Sequence, residues 1–405
     1  MSSLHTIKGE FPALAQKVHG KPLIYLDSAA TALKPRSVID AIVSVYQEDA
    51  GNIHRAVHTL SQRATTRFEQ ARELVSKFIN APEESECIFT RGTTESINLV
   101  AFSWGRQHLK SGDSIVVSGL EHHSNIVPWQ ILCKETGATL KVAPIKDNGD
   151  ITLEEFDSVI DKSTKLVVCA HASNALGTVL PIESIAKLAH ENGALCLVDG
   201  AQAAPHMQVD VAKLGCDFYA FSGHKLYGPS GIGVLWGKRE VLEKMTPFHG
   251  GGDMIKNVSF ENTTFAEIPA KFEAGTPHIA GAIGLGAAVE FVQKIGFKEI
   301  SSHEEELRSY GTKKLLEIDG LTIHGTAPNK IGVLTFTTEW GHPQDVGSLL
   351  DSMGVAVRTG HHCAEPLMHR LGLNGTSRAS MGMYNNRSDI DVLCEGLLKA
   401  KAMLS

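Results

Sequence analysis

Lys225 lies in Ser222-Gly223-His224-Lys225-Leu226-Tyr227-Gly228-Pro229-Ser230-Gly231, hemmed in by glycines at the end of the apolar run Phe218-Tyr219-Ala220-Phe221. A lysine at the end of a buried strand is costly unless its amine is used covalently or its pKa is lowered. A bare Gly-His-Lys would read as a surface turn between two strands. Twenty-six residues upstream, however, Ala194-Leu195-Cys196-Leu197-Val198 ends in Asp199-Gly200-Ala201-Gln202, an acid at the tip of another strand. A lysine able to form a Schiff base, with a carboxylate to keep a pyridinium nitrogen protonated, is the skeleton of a pyridoxal phosphate site.

Two further motifs could do chemistry. Cys87-Ile88-Phe89-Thr90 reads as a strand, and Arg91-Gly92-Thr93-Thr94-Glu95 follows it into an apolar helix. Free N–H groups and two hydroxyls at that helix start would suit a phosphate, although a lone motif of this kind could be plain N-capping. It is no P-loop, because the Gly-Lys-Ser/Thr ending is missing. Near the C-terminus, Val357-Arg358-Thr359-Gly360-His361-His362-Cys363-Ala364-Glu365 surrounds a cysteine with an arginine and two histidines. So polar a setting disfavours a buried structural thiol. His-His-Cys in direct succession cannot place three ligands tetrahedrally on one zinc without strain. A nucleophilic cysteine on a mobile loop fits best. Arg378, in Thr376-Ser377-Arg378-Ala379-Ser380, offers a planar fork for a substrate carboxylate.

The intervening sequence must bring these groups together. Leu23 to Leu26 reads as a strand running into the small-residue turn Asp27-Ser28-Ala29-Ala30, and Ser37 to Asp49 as an amphipathic helix. His54, Arg55 and His58 precede a long helix over 61–78 and suit a solvated loop or a site equally. Strands are expected over 114–118, 139–145 and 166–170. Glu121-His122-His123 follows the first and His171-Ala172-Ser173-Asn174 the last. Thr152-Leu153-Glu154-Glu155 is a capping box, and Pro181 opens a helix ending near Gly193. This β-α-β order predicts an α/β fold with a mostly parallel sheet between helices, whose ligands gather at the strands' C-terminal ends. Thr93, Thr94, His122, Asn174, Asp199, Gln202 and Lys225 all fall at such ends. Gly250-Gly251-Gly252-Asp253 reads as a mobile loop, and Gly281 to Gly286 as helix packing rather than a dinucleotide fingerprint. The expected organisation is an N-terminal segment (1–20) packing with the small domain, a large domain (21–293) and a smaller α+β C-terminal domain (294–405).

The chain has 405 residues, 42% hydrophobic and 20% charged, as in ordinary globular proteins. Its net charge of −7 argues against nonspecific nucleic-acid binding. No apolar run approaches the ~20 residues that span a bilayer. The first ten residues lack a signal or transit composition, and the seven cysteines include no C-x-x-C pair, so the cytoplasm is the expected compartment.

Taken together, the motifs resemble the SufS-type (group II) cysteine desulfurases among the fold-type I pyridoxal phosphate enzymes. The resemblance runs from Leu26-Asp27-Ser28-Ala29-Ala30 through Phe272-Glu273-Ala274-Gly275-Thr276-Pro277 to Arg378-Ala379-Ser380. It implies that Lys225 carries the cofactor, Asp199 pairs with its pyridine nitrogen, His122 stacks on its ring, and Gln202 and Asn174 lie at its phenolic oxygen. Thr93, Thr94, Ser222 and His224 would hold the phosphate, with Thr276 reaching across from the second subunit of a homodimer. Cys363 would take sulfur from L-cysteine as a persulfide, for iron–sulfur cluster assembly. Arg378, Arg358, Asn174 and Arg55 are the substrate-binding candidates, and no resident metal is implied. His342-Pro343 resembles the variant served by a zinc-containing SufU-like acceptor, and a SufE-like acceptor is the other reading. Selenocysteine lyase or cysteine-sulfinate desulfinase activity on the same scaffold is the alternative.

Overall fold

The computed structural model describes Leu4 and residues 6–405. The chain passes through β1 (Ile24–Tyr25) and two long helices, α1 (Arg36–Glu48) and α2 (Thr59–Phe78), before entering the main sheet. That sheet comprises β2 (Cys87–Thr90), β3 (Ser114–Ser118), β4 (Thr139–Ala143), β5 (Thr164–Ala170), β6 (Leu195–Asp199), β7 (Phe218–Ser222) and β8 (Gly233–Gly237). Its spatial order is β2-β8-β7-β6-β5-β3-β4. β8 runs antiparallel to both its neighbours, and every other pair is parallel. The expected α/β architecture with a mostly parallel sheet is therefore present.

The strands are apolar on both faces because both faces are covered. Val116, Val167, Val198, Tyr219 and Phe221 enter one buried cluster, whereas Ile115, Val117, Leu166, Leu197, Phe218 and Ala220 enter another. Alternate residues thus serve opposite cores, as the two-residue period of a strand requires. Burying each large aliphatic or aromatic side chain contributes about 1.5–3 kcal/mol. The connecting helices include α3 (Thr93–Val100), α4 (Val127–Thr136), α5 (Leu153–Asp157) and α6 (Ile182–Glu191). The capping box at Thr152 is formed, with the Glu155 carboxylate accepting the Thr152 N–H at 2.7 Å.

The hairpin β9 (Ile255–Val258) and β10 (Thr263–Phe265) follows the glycine-rich segment 250–252. Composition alone suggests a mobile loop here. In the structure Asp253 pairs with Arg55, and Gly252 O accepts from Gly275 N–H at 2.9 Å. Beyond it, α7 (Ile279–Ile295) lays Gly284 against α1 and Gly286 against α2. A Cβ on Gly284 would stand 2.8 Å from Ile42 Cγ1 and one on Gly286 3.0 Å from Ala71 Cβ, so these two glycines serve helix packing, whereas Gly281 faces His278 at the start of its own helix.

α8 (Phe297–Leu316) leads into the second sheet, made of β11 (Leu321–His324), β12 (Val333–Thr338), β14 (Arg358–Gly360) and β15 (Thr376–Ser380). Its order is β11-β12-β15-β14, antiparallel throughout. With α8, α9 (Pro343–Ser352) and α11 (Arg387–Leu404) it encloses a separate core around Leu307, Phe336, Leu350 and Leu397. β1 pairs in parallel with β13 (Val355–Ala356), and Leu26 joins this second core. The strand read within 21–293 thus packs on the C-terminal lobe. In the N-terminal segment, Lys8 pairs with Asp389 of α11, and the Phe11 ring meets Tyr227, Phe291 and Tyr384. Among the described residues, no single helix is long and apolar enough to cross a membrane.

Candidate active site

The strand ends build a cradle around Lys225. The lysine follows β7 in a turn closed by Gly223 N–H to Ile232 O and Gly228 N–H to Gly223 O, both at 2.9 Å. Burial pulls its ammonium down to about 8, against the opposing pull of Asp199. Asp199 ends β6 and is buried; desolvation raises its carboxyl, while Lys225 and the Ala201 N–H at 2.9 Å work the other way. The adjacent Gly200 is required, since a Cβ there would lie 2.1 Å from the Tyr219 ring. Gln202 donates through Nε2 to Ala29 O at 2.7 Å, and its buried Oε1 has no partner among the described residues.

His122 lies just beyond β3. Burial, then the nearby Lys225, pushes its ring down to about 3. Its Nδ1 accepts the Ser124 N–H at 3.0 Å, so the neutral ring carries its proton on Nε2. At the opening of α3, Ser222 Oγ accepts the Thr93 N–H at 2.8 Å and lies 2.8 Å from the Thr93 hydroxyl. Thr94 is exposed in the same first turn, where helical N–H groups have no intrahelical acceptors. His224 is held by its carbonyl, which accepts from Ala32 N–H and the Thr31 hydroxyl at 3.0 Å and from Lys34 Nζ at 2.9 Å. Its ring is pushed down to about 4 by burial, with Lys225 and Lys34 adding to the effect.

The cysteine loop reaches this cradle from the second lobe. Arg358 Nη2 donates to Cys363 Sγ at 3.1 Å, placing a guanidinium to stabilise negative charge on sulfur. His362 and Cys363 both adopt left-handed backbone, with φ of +54° and +56°. Such conformations cost non-glycine residues about 1–2 kcal/mol each. Contacts with the first lobe hold them: Asn174 Nδ2 donates to His362 O at 2.6 Å, and His123 N–H to Cys363 O at 2.8 Å. Each such bond contributes about 1 kcal/mol, the same order as the strain. The His362 ring is buried, held by Thr376 Oγ1 at 2.7 Å and pushed down to about 2 by burial. Of the seven cysteines only Cys363 is not buried.

Arg378 is fully buried between the two regions. Its Nη1 donates to Asn174 O at 2.8 Å and its Nη2 to Asp27 Oδ1 at 2.9 Å, while its Nε has no partner among the described residues. Both Arg358 and Arg378 act electrostatically on Lys225, as does Cys363, which places all four in one neighbourhood. Two candidates lie elsewhere. Arg55 pairs with Asp253 in the glycine-rich segment. Thr276 is exposed on a turn anchored by Glu273, whose carboxylate takes Arg72 in two bonds of 2.7 and 2.9 Å and the Phe89 N–H at 2.7 Å. His342 is exposed and caps α9 by accepting the Gln344 N–H at 3.3 Å.

These residues fit pyridoxal phosphate. A lysine with a lowered pKa faces a buried acid, hydroxyls meet a helix start, and the orphaned Gln202 Oε1 and Arg378 Nε are buried polar atoms that call for a ligand. Three contributors were not singled out from sequence. Asp27 orients Arg378, and His123 meets the cysteine loop. Glu121 is buried and pushed up to about 8 by desolvation; it accepts from the Ser118 hydroxyl, from Asn125 Nδ2 at 2.6 Å and from Ala170 N–H at 2.8 Å. Asp27 follows an apolar run just as Asp199 does, so the signal that revealed Asp199 was available for it, whereas Ser118 and Gly119 separate Glu121 from its strand's apolar run.

The chain matches the aminotransferase class-V family over residues 24–393. A protein of Halalkalibacterium halodurans named probable cysteine desulfurase is 53% identical over 397 residues, covering 98% of each chain. The cysteine desulfurase of Escherichia coli O127:H6 is 48% identical over 403 residues, covering 99% of each. Among solved structures, the Escherichia coli cysteine desulfurase CsdA superposes with a TM-score of 0.93 at 40% identity, over the whole of both chains. With sequence, fold and site in agreement, the chain belongs to the aminotransferase class-V family and, within it, to the cysteine desulfurases.

Proposed function

We propose that this chain converts L-cysteine to alanine and keeps the released sulfur as a persulfide on Cys363. The observation that carries the reading is a cysteine touched by Arg358 and lying in the electrostatic neighbourhood of Lys225, across the junction of two lobes. Pyridoxal phosphate, when bound, supplies the electron sink for loss of the substrate's Cα proton. Asp199 would hold the pyridine nitrogen protonated, and Lys225 would attach the cofactor and then move the Cα proton. His122, neutral because burial pushes its ring down to about 3, would stack on the cofactor ring, with its Nε2–H available as a hydrogen-bond donor. Arg378 would take the substrate carboxylate, using the Nε that is otherwise without a partner. The Cys363 thiolate attacks the substrate sulfur, an S–S bond forms, the C–S bond breaks, and its electron pair stays on the carbon skeleton that is protonated to alanine.

A persulfide must be unloaded, so a sulfur-acceptor protein completes the cycle, and supply to iron–sulfur cluster assembly is the purpose that the family resemblance suggests. The exposed His342 at the start of α9 supports a SufU-like acceptor, with a SufE-like protein as the competing identity. A homodimer is the proposed assembly, because Thr276 stands exposed on a rigidly anchored turn with no part in its own chain's cradle. The test is alanine formation from L-cysteine, with mass spectrometry after a brief pulse lacking acceptor. One extra sulfur on the Cys363 peptide is expected. The same gain on Cys133 or Cys394, with Cys363 unmodified, would overturn the assignment.

A further inference from the structure

His123 has no part in the chemistry above, yet it touches both of the regions that perform it. It directly follows His122, and the two rings lie 6.2 Å apart. Its main-chain N–H donates to the carbonyl of Cys363 at 2.8 Å. Its ring Nε2 accepts the main-chain N–H of Glu365 at 3.1 Å. Glu365 is the first residue of α10 (Glu365–Arg370), and the N-cap position, Ala364, provides no side-chain cap. The ring of His123 therefore replaces a missing cap from the other lobe, satisfying an N–H that the helix leaves without an internal acceptor. Its two bonds fall on either side of Ala364, immediately after two left-handed residues that would relax to other conformations if released. To accept that N–H the ring must be neutral with its proton on Nδ1, the opposite tautomer to His122.

We infer that His123 is a positioning residue for sulfur transfer: its ring, through Glu365 N–H, holds the Cys363 turn in register with the bound substrate. The main-chain bond to Cys363 is available to any residue at 123. The ring bond is specific to a side chain with an acceptor at the right reach, so it can be removed while the first bond is kept. The inference rests on the reading of Cys363 as the sulfur acceptor.

The experiment uses holoenzyme carrying His123→Ala, His123→Gln or His123→Asn. A misplacement of order 1 Å costs roughly 100-fold in a rate, so His123→Ala should lower kcat for L-cysteine by about 10- to 100-fold. KM for L-cysteine, the cofactor's visible absorption and its change on adding L-cysteine should stay as in wild type, because the cradle is untouched. Alkylation of Cys363 by iodoacetamide should become severalfold faster or slower as the turn loses its fixed geometry. His123→Gln, whose carbonyl oxygen can reach Glu365 N–H, should restore most of the rate, and the shorter His123→Asn should restore less. Wild-type sulfur transfer and alkylation in His123→Ala would overturn the inference. So would loss of the cofactor's absorption together with the rate, since His123 would then act on the cradle. Should His123→Ala fail to fold, equal rates in the Gln and Asn variants would overturn it equally. A wild-type enzyme that forms no persulfide from L-cysteine would refute the reading of Cys363 instead.

Discussion

The cradle and the cysteine loop solve opposite problems. Asp199, Lys225, Ser222 and His122 sit at or just past the ends of apolar strands, and their geometry is inherited from the sheet. Cys363 sits between a three-residue strand and a six-residue helix, in left-handed backbone, fixed chiefly by single hydrogen bonds from Arg358, Asn174 and His123. Groups that act on one fixed ring profit from rigidity. If Cys363 carries sulfur as proposed, a thiol that collects in one place and delivers in another profits from a mount with few, separable ties. The difference teaches that the two halves of the chemistry should fail independently.

The largest break falls on the cradle. Lys225→Ala should cut turnover by about 10,000-fold, the upper end of what a lost proton-transfer group costs. Borohydride treatment followed by peptide mapping should tag Lys225 in the wild type, and a tag on another lysine would refute the assignment. Cys363→Ser should lower desulfuration by roughly 1,000-fold, because a hydroxyl is far less ionised than a thiol and accepts sulfur poorly. Its fold, colour and response to L-cysteine should be those of the wild type. A variant that instead turned over normally but melted earlier would mark Cys363 as structural.

Arg378 lies between the regions and should give a mixed result. Arg378→Lys keeps the charge but loses the fork, and a charge-assisted hydrogen bond contributes about 1.5–3 kcal/mol, so KM for L-cysteine should rise at least about tenfold. Asp27 would lose its partner at the same time, which makes a double-mutant cycle with Asp27→Asn the way to separate the two effects.

A last pair of effects, on stability rather than turnover, separates the regions by pH. Glu121, in the cradle, has its carboxyl raised to about 8, so the folded state binds the proton more tightly than the unfolded one. Its contribution to stability is complete below the unfolded value near 4.5 and is lost as pH rises towards 8. Glu121→Gln should therefore gain on the wild type over that interval. His362, in the loop, is depressed to about 2. Its contribution is complete above the unfolded value near 6.5 and is lost as pH falls below that. His362→Gln should gain on the wild type in acid. Denaturant midpoints across pH would check both, and parallel curves for variant and wild type would contradict the burial argument.

Much of the cradle was legible because strand ends are written locally: an apolar run stops and a polar residue begins. Asp199, Lys225 and Thr93 follow once several such ends are taken together. The Arg378–Asp27 pair, 351 positions apart, and the His123 ring on Glu365, 242 apart, are not written in any local pattern. β1 shows the same limit, because its residues announce a strand but not that its neighbour is Val355–Ala356. The hairpin β9–β10 was hidden by the glycines before it, whose composition resembles a loose loop, although Ile255–Val258 pairs with Thr263–Phe265 just beyond them.

The buried pair of Arg72 and Glu273 has one more consequence. Removing one partner from such a pair costs about 3–5 kcal/mol, so the segment leading to Thr276 is braced from within its own chain. A surface that docks on residues 274–277 meets a shape already made. Its association then carries little entropic penalty for ordering that turn, and complementarity there can be spent on affinity.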